Sequence, residues 1–332
     1  MKKPDPRFWQ DRNVFVTGSS GFLGSWMVAE LNRRGANVVG LVRDVASTSK
    51  PRLIEGSDPA FKVFGALEDY EVLLRAVNEY EVDTVMHLGA QPIVGIANRN
   101  PLSTFEANIR GTWNMLEACR QVSTVKRVVV ASSDKAYGEQ PKLPYDESMP
   151  LQGRHPYDVS KSCTDLIAQT YHNVYRTPVC ITRCGNFFGG GDLNFSRIVP
   201  GTIRSILNGE KPVIRSDGKM IRDYVYVRDI VDFYLFLAES MEDPAIHGEA
   251  FNFSTESQLS VMDITRALLR LCERTDLEPV VLNEAKAEIP HQYLSARKAH
   301  EVLGWQARST IEAGLSETIT WYRKYFETAR MA

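Results

Sequence analysis

Tyr157 and Lys161 stand four residues apart in the run Tyr157-Asp158-Val159-Ser160-Lys161. On a helix, that spacing puts the phenol and the ammonium on one face. A lysine cation beside a phenol stabilises the tyrosinate and lowers its pKa, so the pair can exchange a proton with a substrate hydroxyl. Alone, such a pair is commonplace on an exposed amphipathic helix. Its weight comes from Ser132-Ser133 at the end of a preceding apolar run, where a hydroxyl can hydrogen-bond the same reacting oxygen. A second chemical feature is Thr17-Gly18-Ser19-Ser20-Gly21-Phe22-Leu23-Gly24. Its glycines permit positive φ and close approach of the backbone to a pyrophosphate, and a helix behind them offers free N–H groups. A tight turn without a ligand is the plain alternative, but strand–turn–helix context favours dinucleotide binding. In Leu41-Val42-Arg43-Asp44, Arg43 suits a 2′-phosphate and leans to NADP, while Asp44 suits a ribose hydroxyl and keeps NAD open. A solvated ion pair is the alternative for both.

The elements that must position these residues alternate along the first half. Apolar runs predict strands over 13–17, 37–42, 61–64, 84–88 and 127–132. Amphipathic stretches predict helices over 22–34, near 70–80, and from about 103 to 120. Trp113, beside Met115 and Leu116, reads as packing in the last of these. After a polar loop, a helix is expected over 157–175 and a strand over 179–182, followed by Gly185, Gly189, Gly190 and Gly191. A brief strand over 250–253 and helices near 296–303 and 310–326 close the chain. The pattern predicts an α/β protein of Rossmann type: a doubly wound parallel sheet with a smaller C-terminal α/β lobe. We place the dinucleotide domain at 1–185 and the substrate lobe at 186–332, with some of its elements returning to the first domain.

Composition narrows the function. The 332 residues are 43% hydrophobic and 24% charged, an ordinary globular balance that argues against disorder or a fibrous repeat. Lys plus Arg (39) against Asp plus Glu (41) leaves a charge of −2, so nucleic acid is not expected as a partner. No apolar run reaches the roughly 18 residues of a membrane span, and the N-terminus lacks the apolar core of a signal peptide. A cytoplasmic protein without membrane attachment is expected. Five cysteines without C-x-x-C spacing argue against a disulfide framework or a zinc site, so no metal is expected.

The glycine loop, the strand-end serine and Y-x-x-x-K, in this order, resemble the extended short-chain dehydrogenase/reductases. Three further segments match that family over essentially the whole chain: His87-Leu88-Gly89-Ala90-Gln91, Asn108-Ile109-Arg110-Gly111-Thr112, and Arg222-Asp223-Tyr224-Val225-Tyr226-Val227-Arg228-Asp229. Within it, Ser132-Ser133-Asp134-Lys135 is similar to the nucleotide-sugar 4,6-dehydratases. The dTDP-glucose enzymes carry Thr-Asp-Glu where this chain and the CDP-glucose group carry Ser-Asp-Lys. Phe8-Trp9-Gln10 and Gly189-Gly190-Gly191-Asp192 are also similar to the CDP-glucose group, which uses NAD. Arg43 looks more like the NADP-using GDP-mannose enzymes.

The resemblance implies a tightly bound NAD or NADP, regenerated in each turnover, and a nucleotide-sugar substrate. Tyr157, assisted by Ser133 and Lys161, would take the proton of the sugar 4-hydroxyl. Asp134 would protonate the departing 6-hydroxyl. Lys135 stands where the dTDP enzymes have a glutamate base; the alternative is that it orients substrate and another group takes the C5 proton. Gly18, Ser20, Gly21, Phe22, Leu23, Gly24, Arg43, Asp44, Leu67, Leu88, Ala90, Gln91 and Asn108, with Tyr157 and Lys161, are expected at the cofactor. Asn186, Arg197, Arg222 and Tyr293 are expected at the substrate. For Arg197 a surface ion pair is the alternative, and His87 reads as a strand-end residue rather than a base. Pairing of two copies through the helices holding Asn108 and Tyr157 is also implied. A 4-epimerase would use the same Tyr157, Lys161 and Ser133 but needs no acid for water loss. A cofactor-sensing binding protein would tend to lose the Tyr–Lys pair.

Overall fold

Strands without a polar face dominate the centre of the computed structural model, which describes residues 7–44, 54–284 and 289–331. The first half runs β1 (Asn13–Thr17), α1 (Phe22–Arg33), β2 (Asn37–Val42), β3 (Phe61–Phe64), α2 (Tyr70–Glu79), β4 (Thr84–His87), α3 (Val94–Arg99), α4 (Pro101–Phe105), α5 (Gly111–Gln121) and β5 (Arg127–Ala131). It continues with α6 (Pro156–Tyr175), β6 (Val179–Cys184), β7 (Asn186–Phe188), α7 (Ile198–Leu207), β8 (Val213–Ile214), β9 (Ile221–Tyr226) and α8 (Val227–Ser240). Then come β10 (Ala250–Phe253), β11 (Gln258–Ser260), α9 (Val261–Leu271), β12 (Val280–Val281), β13 (His291–Gln292) and α10 (Ile311–Met331).

Seven strands form one parallel sheet in the order β10-β6-β5-β4-β1-β2-β3. Alternate side chains of β1 serve two cores. Val14 and Val16 join Met27 and Leu31 of α1, whereas Phe15 joins Leu73 of α2 and Met115 of α5. Helices on both faces explain why the central strands are mainly apolar on both faces. Strand order reverses between β1 and β4, so a crevice opens beyond their carboxyl ends. There lie the glycine loop and the segment 88–91.

The second half completes this sheet. β10 pairs with β6 from Ala250↔Ile181 to Phe253↔Cys184. The Phe253 ring lies 4.6 Å from Phe233 of α8 and 4.3 Å from Trp305. Aromatic pairs at such distances contribute about 0.5–1.5 kcal/mol each beyond area burial. A smaller sheet centres on β9, which pairs with β7 and β13 in parallel and with β11 antiparallel.

Several boundaries differ from the expectation. The helix expected from about 103 starts at Pro101, because Asn100 caps it by accepting from Ser103 N, and a π-helical segment, Glu106–Arg110, joins α4 to α5. The helix expected near 296–303 carries a π segment, Ala299–Leu303, ended by Gly304 at φ 72°. The last helix runs beyond the expected 326. Trp113 corrects the packing expectation: it is 44% exposed, while Met115 and Leu116 face the core. Among the described residues no helix is long and apolar enough to cross a membrane.

Candidate active site

The glycine loop has the local geometry an anionic diphosphate needs. Gly18 has φ 68°, a conformation that favours glycine, and Gly21 N donates to Gly18 O at 2.9 Å. A Cβ on Gly24 would overlap Gly18 O, so α1 approaches the loop only because that position is bare. Gly21 is the N-cap of α1 and offers no side-chain cap, which leaves the first N–H groups of the helix open to a ligand. Ser20 and Gly21 are exposed, Phe22 is half-buried, and Leu23 and Gly24 are buried. Beside them, Leu67 Cδ1 lies 3.1 Å from where a Gly89 Cβ would be, and Leu88, Ala90 and Gln91 line the same strand ends half-buried. These residues therefore fit a dinucleotide. Arg43 and Asp44 form an ion pair at 2.7 Å with side chains 65% and 73% exposed, so the charge that leaned to NADP already has a partner.

Two residues of this region support rather than line it. Asn108, expected at the cofactor, is 2% exposed; it accepts from Gln91 N at 2.6 Å and donates to Gln91 O and to Ser160 Oγ. It is a strut between the 88–91 segment and α6. His87 is also enclosed, with Nδ1 2.9 Å from Thr17 Oγ1 and Nε2 3.3 Å from Thr112 Oγ1. Burial, helped by the nearby Lys161 charge, pushes its pKa down to about 3, so it stays neutral and ties β1, β4 and α5 together.

The residues expected to transfer a proton lie where β5 ends and α6 begins. Pro156 at the first position of α6 suits a helix start, and the helix carries Tyr157 and Lys161 on its first turns. Lys161 is 5% exposed; its Nζ donates to Ala131 O at 2.6 Å, and burial pushes its pKa down to about 8. Tyr157 departs from the simple expectation. Burial pushes the phenol up to about 12, against the lowering effects of a Ser133 hydrogen bond and the Arg197 charge. Desolvation of the anion outweighs that hydrogen bond and the Arg197 cation.

The adjoining turn is Asp134–Tyr137, a short 3-10 segment capped by Ser133, whose Oγ accepts from Lys135 N at 3.2 Å. Ser133 Oγ donates to Asp134 Oδ1 at 3.0 Å. Asp134 is 3% exposed, and burial raises its pKa against the pull of Lys135, Ser133 and Arg222. An acid raised in this way favours its protonated form. Tyr157 senses the Asp134 charge directly. Lys135 is half-buried and acts on both Asp134 and Asp158. Below the turn, Arg183 forks onto Asp165 at 2.7 and 2.9 Å and donates to Tyr137 Oη at 2.8 Å. Tyr137 Oη in turn donates to Asn252 Oδ1 at 2.7 Å. This buried network pins the turn to β6, β10 and α6.

The expected substrate residues divide. Arg222 is 6% exposed, donates to Ile221 O and Pro290 O, and acts electrostatically on Asp134. Arg197 pairs with Asp192 at 3.0 Å, the ion pair held open from sequence, yet its charge also reaches Tyr157. Asn186 is exposed on β7, and Tyr293 is half-buried with its carbonyl accepting from Tyr145 N. Asp223 and Gln292, buried in β9 and β13, were not among the expected site residues. Asp223 Oδ2 accepts from Ser254 Oγ and Leu294 N, and burial pushes this carboxyl up to about 7. Its signal was present in the Arg222-Asp223 run, since neighbours in a strand face opposite ways. Gln292 stood in no motif.

Comparison with known proteins agrees with the fold. The family described as GDP-mannose 4,6 dehydratase matches residues 15–318. A CDP-glucose 4,6-dehydratase of Salmonella typhimurium is 30% identical, over 97% of this chain and 93% of that one. Among solved structures, a UDP-glucose 4-epimerase of Thermotoga maritima, with UDP-glucose, superposes with TM-score 0.86 at 30% identity, covering 95% and 99% of the two chains. A dTDP-glucose 4,6-dehydratase of Streptomyces venezuelae, with NAD bound, gives TM-score 0.84 at 26% identity, covering 94% and 97%.

Proposed function

The chain belongs to the GDP-mannose 4,6 dehydratase family, nucleotide-sugar enzymes of the extended short-chain dehydrogenase/reductase fold, and from that premise we propose that it converts CDP-glucose to CDP-4-keto-6-deoxyglucose. The observation that carries the dehydratase over the epimerase is Asp134: a buried acid with a raised pKa, hydrogen-bonded to Ser133 and electrostatically coupled to Tyr157. Water loss needs such an acid, and epimerisation does not.

The glycine loop and Leu67, Leu88, Ala90 and Gln91 would hold NAD, with Asn108 fixing the last of these. NAD is favoured over NADP because related structures hold it and Arg43 is neutralised by Asp44. When bound, NAD would supply a hydride acceptor for C4 and a hydride donor for C6. Tyr157 takes the 4-hydroxyl proton, with Ser133 steadying the oxygen and Lys161 adding positive charge. The resulting ketone acidifies the C5 proton. Lys135 either removes that proton and returns it to C5 as hydride reaches C6, or orients the sugar for both transfers. Asp134 gives its proton to the departing 6-hydroxyl, which leaves as water. Arg222, Arg197, Asn186 and Tyr293 would hold the nucleotide diphosphate, charge-assisted where arginine is the donor. Two copies would pair through α5 and α6, whose Trp113 and Leu166 are 44% and 52% exposed.

The test is incubation with CDP-glucose, dTDP-glucose, UDP-glucose and GDP-mannose, each with NAD or NADP, followed by product mass. Loss of one water from CDP-glucose, without net cofactor reduction, is expected. An unchanged mass with a new sugar isomer would establish the epimerase instead.

A further inference from the structure

Gln292 has no exposed surface, and among the described residues its side chain makes one hydrogen bond, from Nε2 to the carbonyl oxygen of Asp134 at 3.0 Å. Its Oε1 is buried and has no partner among the described residues. An unpaired buried acceptor destabilises a fold, so an apolar side chain would fill this place at less cost. What the amide contributes is that single bond, 158 residues along the chain, to the backbone of the proposed acid. The amide orientation is fixed by the same contact, since Oε1 against the Asp134 carbonyl would set two acceptors face to face.

The segment carrying Gln292 is held on two sides. Toward the substrate lobe, Gln292 pairs in register with Arg222, Pro290 O accepts from Ile221 N and from Arg222 Nη1, and Leu294 N donates to Asp223 Oδ2. Toward the catalytic turn, Tyr145 N donates to Tyr293 O, and Ser295 N donates to Tyr145 O, each at 2.9 Å. Asp134 itself is held from its other end by Ser133 Oγ. The strand that bears Arg222 and the turn that bears Asp134 are therefore joined through β13, and Gln292 makes the bond that reaches the acid.

We propose that Gln292 is a positioning residue for water elimination, setting the backbone of Asp134 relative to the strand that carries Arg222. This rests on the dehydratase reading. Displacing a catalytic group by about 1 Å is enough to lower a rate by about 100-fold. The bond should matter only for the step in which Asp134 gives its proton, and not for oxidation at C4 by Tyr157.

The experiment uses the full chain with its cofactor and CDP-glucose, comparing Gln292→Met with Gln292→Leu, each of which removes the donor and the orphan acceptor together. Three quantities are read: nucleotide-sugar affinity, the rate of reduced-nicotinamide formation on first mixing, and the rate of water loss. Water loss should fall by about 10- to 100-fold, with affinity and first-phase rate within about twofold of wild type. In an Asp134→Asn background, neither change at Gln292 should reduce water loss further. Normal water loss, equal losses in both half-reactions, or an additive loss on top of Asp134→Asn would overturn the assignment. If one variant fails to fold, by its thermal transition, the other carries the test. A wild type that releases no water overturns the dehydratase reading and this inference with it. A dehydrating wild type beside an unimpaired variant overturns this inference alone.

Discussion

Replacing Asp134 by Asn separates the two halves of the proposed reaction. The change is nearly isosteric. The amide oxygen can still accept from Ser133 Oγ, which lies 3.0 Å away, and the backbone bond from Gln292 is untouched. No ionised form has to be kept in a site that is 3% exposed, so stability should stay within about 1 kcal/mol of wild type. The proton, however, is gone. General acid catalysis contributes about 10²–10⁴-fold, equivalent to about 2.7–5.4 kcal/mol of barrier. Water loss should fall by that factor, while oxidation at C4, which belongs to Tyr157, should remain within a few-fold. With CDP-glucose, reduced nicotinamide should then accumulate and be visible by its near-ultraviolet absorbance, and the product mass should show little dehydration. Dehydration at the wild-type rate would remove Asp134 from the mechanism. Loss of the absorbance change, in a variant that melts normally, would place Asp134 in the oxidation step.

Tyr157→Phe should abolish turnover while bound nicotinamide remains measurable in the purified protein; near-normal turnover would refute the proton-transfer role. Asp223, at about 7 in the folded chain against about 4 for a free carboxyl, binds its proton more tightly when folded. Stability should thus fall as pH rises from about 4 to about 7, by up to about 1.4 kcal/mol per unit, and Asp223→Asn should flatten that part of the denaturation profile. An unchanged slope would show that Asp223 does not cause it. Asp165→Asn would leave the Arg183 guanidinium, 4% exposed, without its carboxylate. Denaturant unfolding should show a loss of about 3–5 kcal/mol, and a change under 1 kcal/mol would contradict the pinning role of the pair.

Much of the frame was legible because its signals are local. The β1 run, the bare positions at Gly18 and Gly24, and the four-residue spacing of Tyr157 and Lys161 each state their structure in a few residues. The Asp134-Lys135 pair stood out through resemblance; in the structure Asp134 is buried and acts electrostatically on Tyr157, while Lys135 is half-buried. What sequence could not supply was the balance of environments. Lys161 suggested a lowered phenol, yet burial raises Tyr157 to about 12. Arg43 suggested a phosphate site, yet its neighbour Asp44 takes the charge. Trp113 has core-like neighbours in sequence, but helix rotation turns it outward. Gln292 and the Arg183–Asp165 pair depend on contacts far apart in the chain, which no spacing announces.

The central claim is that one chain moves a hydride within one sugar while removing water. The most direct measurement uses CDP-glucose carrying deuterium at C4, with the product examined by mass and by NMR. The account predicts a product lighter by one water, with the deuterium retained and now at C6. Deuterium still at C4 in a product of unchanged mass would contradict it and establish an epimerase on the same scaffold.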